Sequence, residues 1–304
     1  MAKKATTTPV VHAEQKRKTR LSRALILPAL VFSLVLTQIP FLVTIVFSTL
    51  NWNLLKPAEF KFAWFQNYIT VFQKGDLLPA IIATVGITSL AVIFSVIFGL
   101  LLAVLLDRKF RGQALARTLL ITPFLLMPAA ASLIWKYSMF DNNVGILSWI
   151  SNTLGMKPIE WTTDFPFLTV VIMLTWQYTP FMMLILLAGL QSQSREVLEA
   201  SSVDGAGAWR TFQWITLPHL RRYVEIAVLL GTIMLLQIFD PIAIMTKGTG
   251  GTKTLSYLLY ERAFVGLDVG QAAAYGVVTV VLTIIVATIA LRNLFKVFIE
   301  GGDR

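Results

Sequence analysis

The sequence predicts an all-α membrane protein of six transmembrane helices, and three observations carry that reading. The 304-residue chain is 56% hydrophobic and 14% charged, far from the roughly half-apolar, quarter-charged balance of a soluble domain. Its apolar residues come in unbroken runs able to cross a bilayer core of about 30 Å rather than in amphipathic periods. Its cationic residues gather on alternate connections between those runs, the bias that orients a polytopic protein.

Six runs stand out in chain order: residues 24–50, 79–106, 119–139, 167–190, 224–246 and 271–291. The first is longer than the apolar region of a secretory signal, and no small-residue cleavage site follows it, so it is expected to stay attached. All six are too long and too uniformly apolar for the tilted strands of a barrel, and helices satisfy their own backbone groups in lipid. Prolines 28, 40, 123, 128, 180 and 241 fall inside or near the runs. Each removes a backbone donor that neighbouring helices must cover, which suits either kinked helices round a cavity or closely packed interior ones.

Of the 26 Lys and Arg, 18 lie in the N-terminal tail, the second and fourth connections and the C-terminus, against 8 elsewhere, while the acidic residues divide 8 and 8. Both termini and the second and fourth connections are therefore expected in the cytoplasm. The chain divides into a basic cytoplasmic tail (1–23), a six-span domain (24–291) and a C-terminal cytoplasmic tail (292–304). Lys16, Arg17, Lys18, Arg20 and Arg23 in the first tail read as a topology signal facing anionic lipid. No aromatic platform or reading motif accompanies them, so nucleic acid is not an expected partner.

Several chemistries are excluded. The chain has no cysteine and two histidines, His12 and His219, far apart in sequence, which removes thiol nucleophiles and Cys/His metal sites. The acids of the outer connections, Asp141, Glu160 and Asp164, form no catalytic constellation, as a membrane-embedded transferase would need. No Gly-x-x-x-x-Gly-Lys-Ser/Thr loop is present, so any ATP hydrolysis belongs to another chain.

The fourth connection, 191–223, is far longer than a simple link between spans. Val197, Leu198, Ala200 and Ser201 support a short helix. Asp204-Gly205 breaks it, since Gly takes the left-handed conformation that closes a helix. A second short helix, 206–216, restarts with Trp209, Phe212 and Ile215 on one stripe, and Pro218 is expected to end it. Local chemistry leaves two readings open: a knob gripped by a soluble partner, or an interfacial helix pair anchored by Trp209 and Trp214.

Polar groups at membrane depth are costly and therefore usually have a use. Asp240 is the one clear acid within a span; Gln237 precedes it, and Trp176, Gln177 and Tyr178 lie beside Pro180. These five are the candidates for a functional role at membrane depth. Their alternative roles are helix-to-helix hydrogen bonding and, for Asp240, capping near the outer membrane face. Ala272-x-x-x-Gly276 has the spacing of close helix packing.

The 195–218 segment resembles the EAA loop of binding-protein-dependent ABC importer permeases, whose pattern is Glu-Ala-Ala, three residues, Gly, nine residues, Ile-x-Leu-Pro. This chain has Glu199-Ala200-Ser201, Gly205 and Ile215-Thr216-Leu217-Pro218, with both spacings kept and one departure, Ser201 for Ala. The resemblance extends to the carbohydrate-importing branch, like the maltose and glycerol-phosphate permeases. Arg117, Pro123, Pro128, Trp135 and Gly145 look like that branch's third span and following loop. Phe239-Asp240, Thr246, the glycines 248–251, Tyr260, Phe264 and Gly270 look like its fifth span and last outer loop, although the expected Gly-Gly-Pro lacks its proline here.

The resemblance implies a type I ABC importer permease fold in the bacterial inner membrane, moving a sugar, polyol or related solute into the cytoplasm by alternating access. The implied partners are a second permease in a heterodimer, two ATP-binding subunits and an extracytoplasmic solute-binding protein. ATP and Mg would sit on the partner subunits, with no cofactor on this chain. Glu199, Ala200, Asp204, Gly205, Trp209, Phe212 and Pro218 would form the contact with the ATPase. Trp176, Gln177, Tyr178, Gln237 and Asp240 would lie on the solute path, where Trp176, Tyr178 and Gln237 are the planar polar and aromatic kind of side chain that suits a sugar or polyol. The rival class is an ion-gradient-driven secondary transporter, which usually shows internal repeats and several mid-membrane charges, and neither is visible here.

Overall fold

A computed structural model describes residues 9–300, with side chains placed from residue 26 to residue 288. Helix α1 (Pro9–Ser48) is followed by a small antiparallel pair, β1 (Leu50–Asn51) with β2 (Lys61–Phe62), and by α2 (Gln66–Gln73). Then come α3 (Leu77–Asp107), α4 (Gln113–Leu125), α5 (Pro128–Ile134), α6 (Ile146–Thr153), α7 (Trp161–Asp164) and α8 (Pro166–Gln191). The chain closes with α9 (Arg195–Val203), α10 (Ala208–Thr211), α11 (Leu217–Leu235), α12 (Leu255–Tyr260) and α13 (Val269–Glu300). Residues 9–23 and 292–300, expected as tails, are the outer turns of α1 and α13; residues 1–8 and 301–304 lie outside the described residues.

Four of the six expected spans are continuous helices long and apolar enough to cross a membrane, ending in α1, α3, α8 and α13. Helix α8 is the centre: 72% of its most apolar stretch is buried, against none of the corresponding stretch of α1. It packs on α3, α4 and α11, while α1 lies against α13. The core is three clusters along the bundle. One end holds Val71, Leu77, Leu255, Leu258 and Tyr275, the middle Ile87, Met173, Leu174 and Ile242, and the other end Leu106, Leu186, Leu190 and Leu220. Ala272 and Gly276 do face close neighbours: a side chain on Gly276 would meet Leu259 and Thr44.

The third expected span is not one straight rod. Helices α4 and α5 meet at 100° across Leu126 and Met127. Pro128 follows, and a residue before proline is pushed out of the helical region; Met127 has ψ 132° accordingly. The freed Leu126 carbonyl accepts a hydrogen bond from Gln177 Nε2 at 3.1 Å. Pro180 leaves α8 unbroken. In the turn before it, the Thr175 carbonyl accepts from Thr179 Oγ1 at 2.6 Å and from Ser95 Oγ at 3.4 Å.

The fifth expected span is interrupted as well. Helix α11 stops at Leu235, residues 236–239 are non-helical, and the chain resumes through a π turn, Ile242–Thr246. Two threonine hydroxyls cover the gap: Thr88 Oγ1 donates to the Leu235 carbonyl at 3.2 Å, and Thr254 Oγ1 reaches the Ile238 carbonyl at 3.5 Å. The segment between this turn and α13 is not a plain outer loop. Helix α12 is tucked against α3 and α13, with Leu255 and Leu258 buried and the Leu255 N–H donating to Thr84 Oγ1 at 2.9 Å. Gly250 sits so close to Pro166 at the head of α8 that a side chain there has no room.

Candidate functional site

Helices α9 and α10 form a hairpin between the end of α8 and the start of α11. The first closes in a Schellman pattern, with Gly205 N–H to the Ser202 carbonyl at 3.1 Å and Ala206 N–H to the Ser201 carbonyl at 3.0 Å. This geometry demands a left-handed residue, and Gly205 has φ +78°. Buried Ser201 joins the two arms, its Oγ lying 3.3 Å from Thr211 Oγ1. A small residue is needed where the helices cross, which is what Ser201 retains.

The far surface of the hairpin is unspent. Glu199, Ala200 and Asp204 are exposed, and among the described residues neither carboxylate takes a hydrogen bond or an ion pair. Large apolar side chains stand beside them: Val203 is 88% exposed and Trp209 68%. Trp209 stacks on Phe212 with ring centroids 6.0 Å apart, and Phe212 is half-buried behind it. Apolar and anionic groups displayed together on a rigid turn have the character of a contact surface, for a soluble partner or, through Trp209 and the exposed Trp214, for the membrane interface.

Pro218 does not end the second helix. The chain runs from α10 through a π turn, Phe212–Thr216, straight into α11, with Pro218 in the first turn of that helix. The wider π turn supplies the slack that a proline, lacking an N–H, requires at this junction. The hairpin is thus continuous with the fifth expected span.

The five solute-path candidates separate into four settings. Trp176 lines a cavity of 780 Å³ between α3, α4 and α8, together with Phe94, Phe98, Pro123, Trp135 and Pro180. Trp135 meets it edge-on at 5.5 Å. Gln177 is buried on another face of α8, tied to the bend of the third span, with its Oε1 buried and unpartnered. Tyr178 is buried, its ring edge-on to Phe124 with centroids 6.0 Å apart. Gln237 is exposed and Asp240 half-buried, both at the break of the fifth span. The structure therefore sets Gln237 and Asp240 at one break, Trp176 in a cavity wall and Gln177 at the bend of the third span.

Sequence reasoning missed two polar clusters. At the end of the bundle away from the hairpin, Asp76 at the head of α3 binds both Arg262 and the buried Tyr275 hydroxyl of α13. Burial pushes the Asp76 carboxyl up, but the bonds from Tyr275 and Arg262 outweigh it and hold it below the usual carboxylate range. Beside the hairpin, Ser192, His219 and Tyr223 interlock. Both clusters join residues distant in sequence, so no local spacing signals them.

A bundle of long apolar helices, one bent and one broken at covered backbone gaps, with a rigid surface hairpin at one end, is the framework of a membrane transport protein. Residues 95–298 match the model of the family described as the binding-protein-dependent transport system inner membrane component, and the chain belongs to that family. It is 32% identical over 292 residues to "Probable ABC transporter permease protein y4oQ" of Sinorhizobium fredii, covering 94% of each chain. It is 30% identical to the trehalose transport system permease protein SugA of Mycobacterium tuberculosis, over 93% of this chain and 91% of the relative. The fold matches that of a chain in a crystal structure of a bacterial ABC transporter importing the polysaccharide alginate, with a TM-score of 0.79, 18% identity and coverage of 93% and 98%.

Proposed function

We propose that this chain is a six-span permease subunit of an ATP-driven ABC importer for a sugar, polyol or related solute, and that the hairpin of α9 and α10 is its contact with a separate ATPase. The bent and broken third and fifth spans complete the count of six. The observation that carries the proposal is the hairpin surface: unpaired Glu199 and Asp204 beside exposed Val203 and Trp209, on a turn fixed by left-handed Gly205. A carbohydrate cargo follows from the relatives, one of which is named for trehalose transport.

The partners of this reading are a second permease, two ATP-binding subunits beneath the hairpins, and a solute-binding protein on the outer face; ATP and Mg are held by the ATPase. Both termini and the hairpin face the cytoplasm. Closure of the ATPases on ATP draws the two hairpins together, and α8, which ends at the hairpin, and α11, which begins there, turn as packed bodies. The membrane interior then opens alternately to each side. Backbone gaps at membrane depth are tolerated only inside protein or beside a water-filled space. That favours the break at 236–239, with Gln237, Asp240 and Tyr178, as part of the solute path, and Trp176 as an aromatic wall.

The test uses vesicles holding the complete complex. Gly205→Asp or Glu199→Lys inserts normally but loses solute-stimulated ATP hydrolysis and uptake. Full uptake by either variant refutes the docking role.

A further inference from the structure

The hairpin is bracketed by two compliant joints. At its start, Ser194 is extended, with φ −65° and ψ 129°. At its end stands the π turn Phe212–Thr216, which interrupts the regular α-helical hydrogen-bond ladder between α10 and α11. Left alone, these joints would let the hairpin swing without moving either long helix.

A polar cluster closes the base across both joints. The Gly189 carbonyl, in the last turn of α8, accepts from Ser192 Oγ at 2.8 Å and faces His219 Nε2 at 3.1 Å. A carbonyl only accepts, so Nε2 carries the ring proton, and it points equally at Ser192 Oγ, 3.1 Å away. Tyr223 OH lies 2.7 Å from the same Ser192 Oγ. Thr216 Oγ1 adds a bond to Gln193 Oε1 at 3.2 Å. The helices can come this close because residue 189 is glycine: a Cβ there would stand 2.6 Å from the Tyr223 ring and 2.8 Å from Leu220.

The geometry points to Ser192, His219 and Tyr223 as positioning residues of energy coupling. We infer that they lock the hairpin to α8 and α11 as one rigid body, so that displacement at Gly205 becomes rotation of both helices. Docking and transmission are then separate properties: the tip holds the ATPase, and the clasp converts its movement. This inference rests on the hairpin being the ATPase contact.

The test is the triple variant Ser192→Ala, His219→Ala, Tyr223→Phe in the complete complex, reconstituted in vesicles beside Gly205→Asp. Three readouts are taken: ATPase subunits co-purified, ATP hydrolysed and solute accumulated. The triple variant keeps its ATPase subunits and hydrolyses ATP within about twofold of the parent, while ATP spent per solute rises about tenfold, inside the usual range of coupling between sites. The conservative variant Ser192→Thr, which keeps a hydroxyl at this position with His219 and Tyr223 intact, leaves the ratio at the parent's value. An unchanged ratio in the triple variant overturns the inference, and so does loss of its ATPase subunits, which would make the cluster a support of the docking surface only. Gly205→Asp that retains the ATPase overturns the docking reading itself. A docking-deficient Gly205→Asp beside a fully coupled triple variant overturns the clasp alone.

Discussion

Gly205 and Gly207 lie two residues apart on the same exposed turn and offer a matched experiment. A Cβ added at either position meets nothing within 4 Å, so neither substitution is resisted by packing. They differ in backbone: Gly205 has φ +78°, whereas Gly207 is extended with φ −67° and ψ 160°. An L-residue in the left-handed region costs about 1–2 kcal/mol. Gly205→Ala should therefore deplete the native hairpin roughly 5- to 30-fold relative to its alternatives, since about 1.4 kcal/mol is tenfold. Gly207→Ala instead removes freedom from the unfolded turn and is neutral or stabilising by up to about 1 kcal/mol. Titrating purified ATPase subunit onto the permease in nanodiscs reads this directly, as apparent affinity falls with the competent fraction. The expected result is weakened binding for Gly205→Ala and unchanged or tighter binding for Gly207→Ala. Equal affinities for the two variants refute the argument that the left-handed turn shapes the docking surface.

Three further outcomes follow from the same structure. Gln177→Leu removes the donor to the Leu126 carbonyl and should lower stability by about 1–3 kcal/mol; an unchanged thermal midpoint in detergent would show that the bend is held elsewhere. Because Asp76 is held below its ordinary value in the folded chain, its stabilisation is present above the unfolded carboxylate range of about pH 4 and is lost as pH falls through the lower folded value. Asp76→Asn should flatten that acid limb of the pH–stability curve, and an identical limb in the variant would assign the acid sensitivity to other groups. Asp240→Ala and Gln237→Ala should each change the apparent affinity or turnover of uptake, and a residue whose removal alters neither is off the solute path.

Much of this molecule is legible in its sequence because lipid imposes a simple code. The helices α1, α3, α8 and α13 are where long apolar runs place them. The third and fifth spans show the limit of that code. Hydropathy averages over about 20 residues and does not register that Met127 must leave the helical region before Pro128, or that Thr88 and Thr254 can cover an open backbone gap from other parts of the chain. Helix α12 escaped for a similar reason: six residues are too few to read as a helix, and its N–H partner Thr84 is far away in sequence. The hairpin was legible because Gly205 and its spacing are local. The role of Pro218 was misread because no residue pattern announces a π turn. The Ser192, His219 and Tyr223 cluster exists only once α8 and α11 are side by side.

The most direct test of the central claim is uptake of radiolabelled trehalose, with a panel of other disaccharides and polyols, by vesicles containing the full complex, with and without ATP inside and the binding protein outside. The account predicts accumulation of at least one solute that requires both ATP and the binding protein and disappears with Glu199→Lys. Accumulation driven by an ion gradient alone, or undiminished in Glu199→Lys, would contradict it.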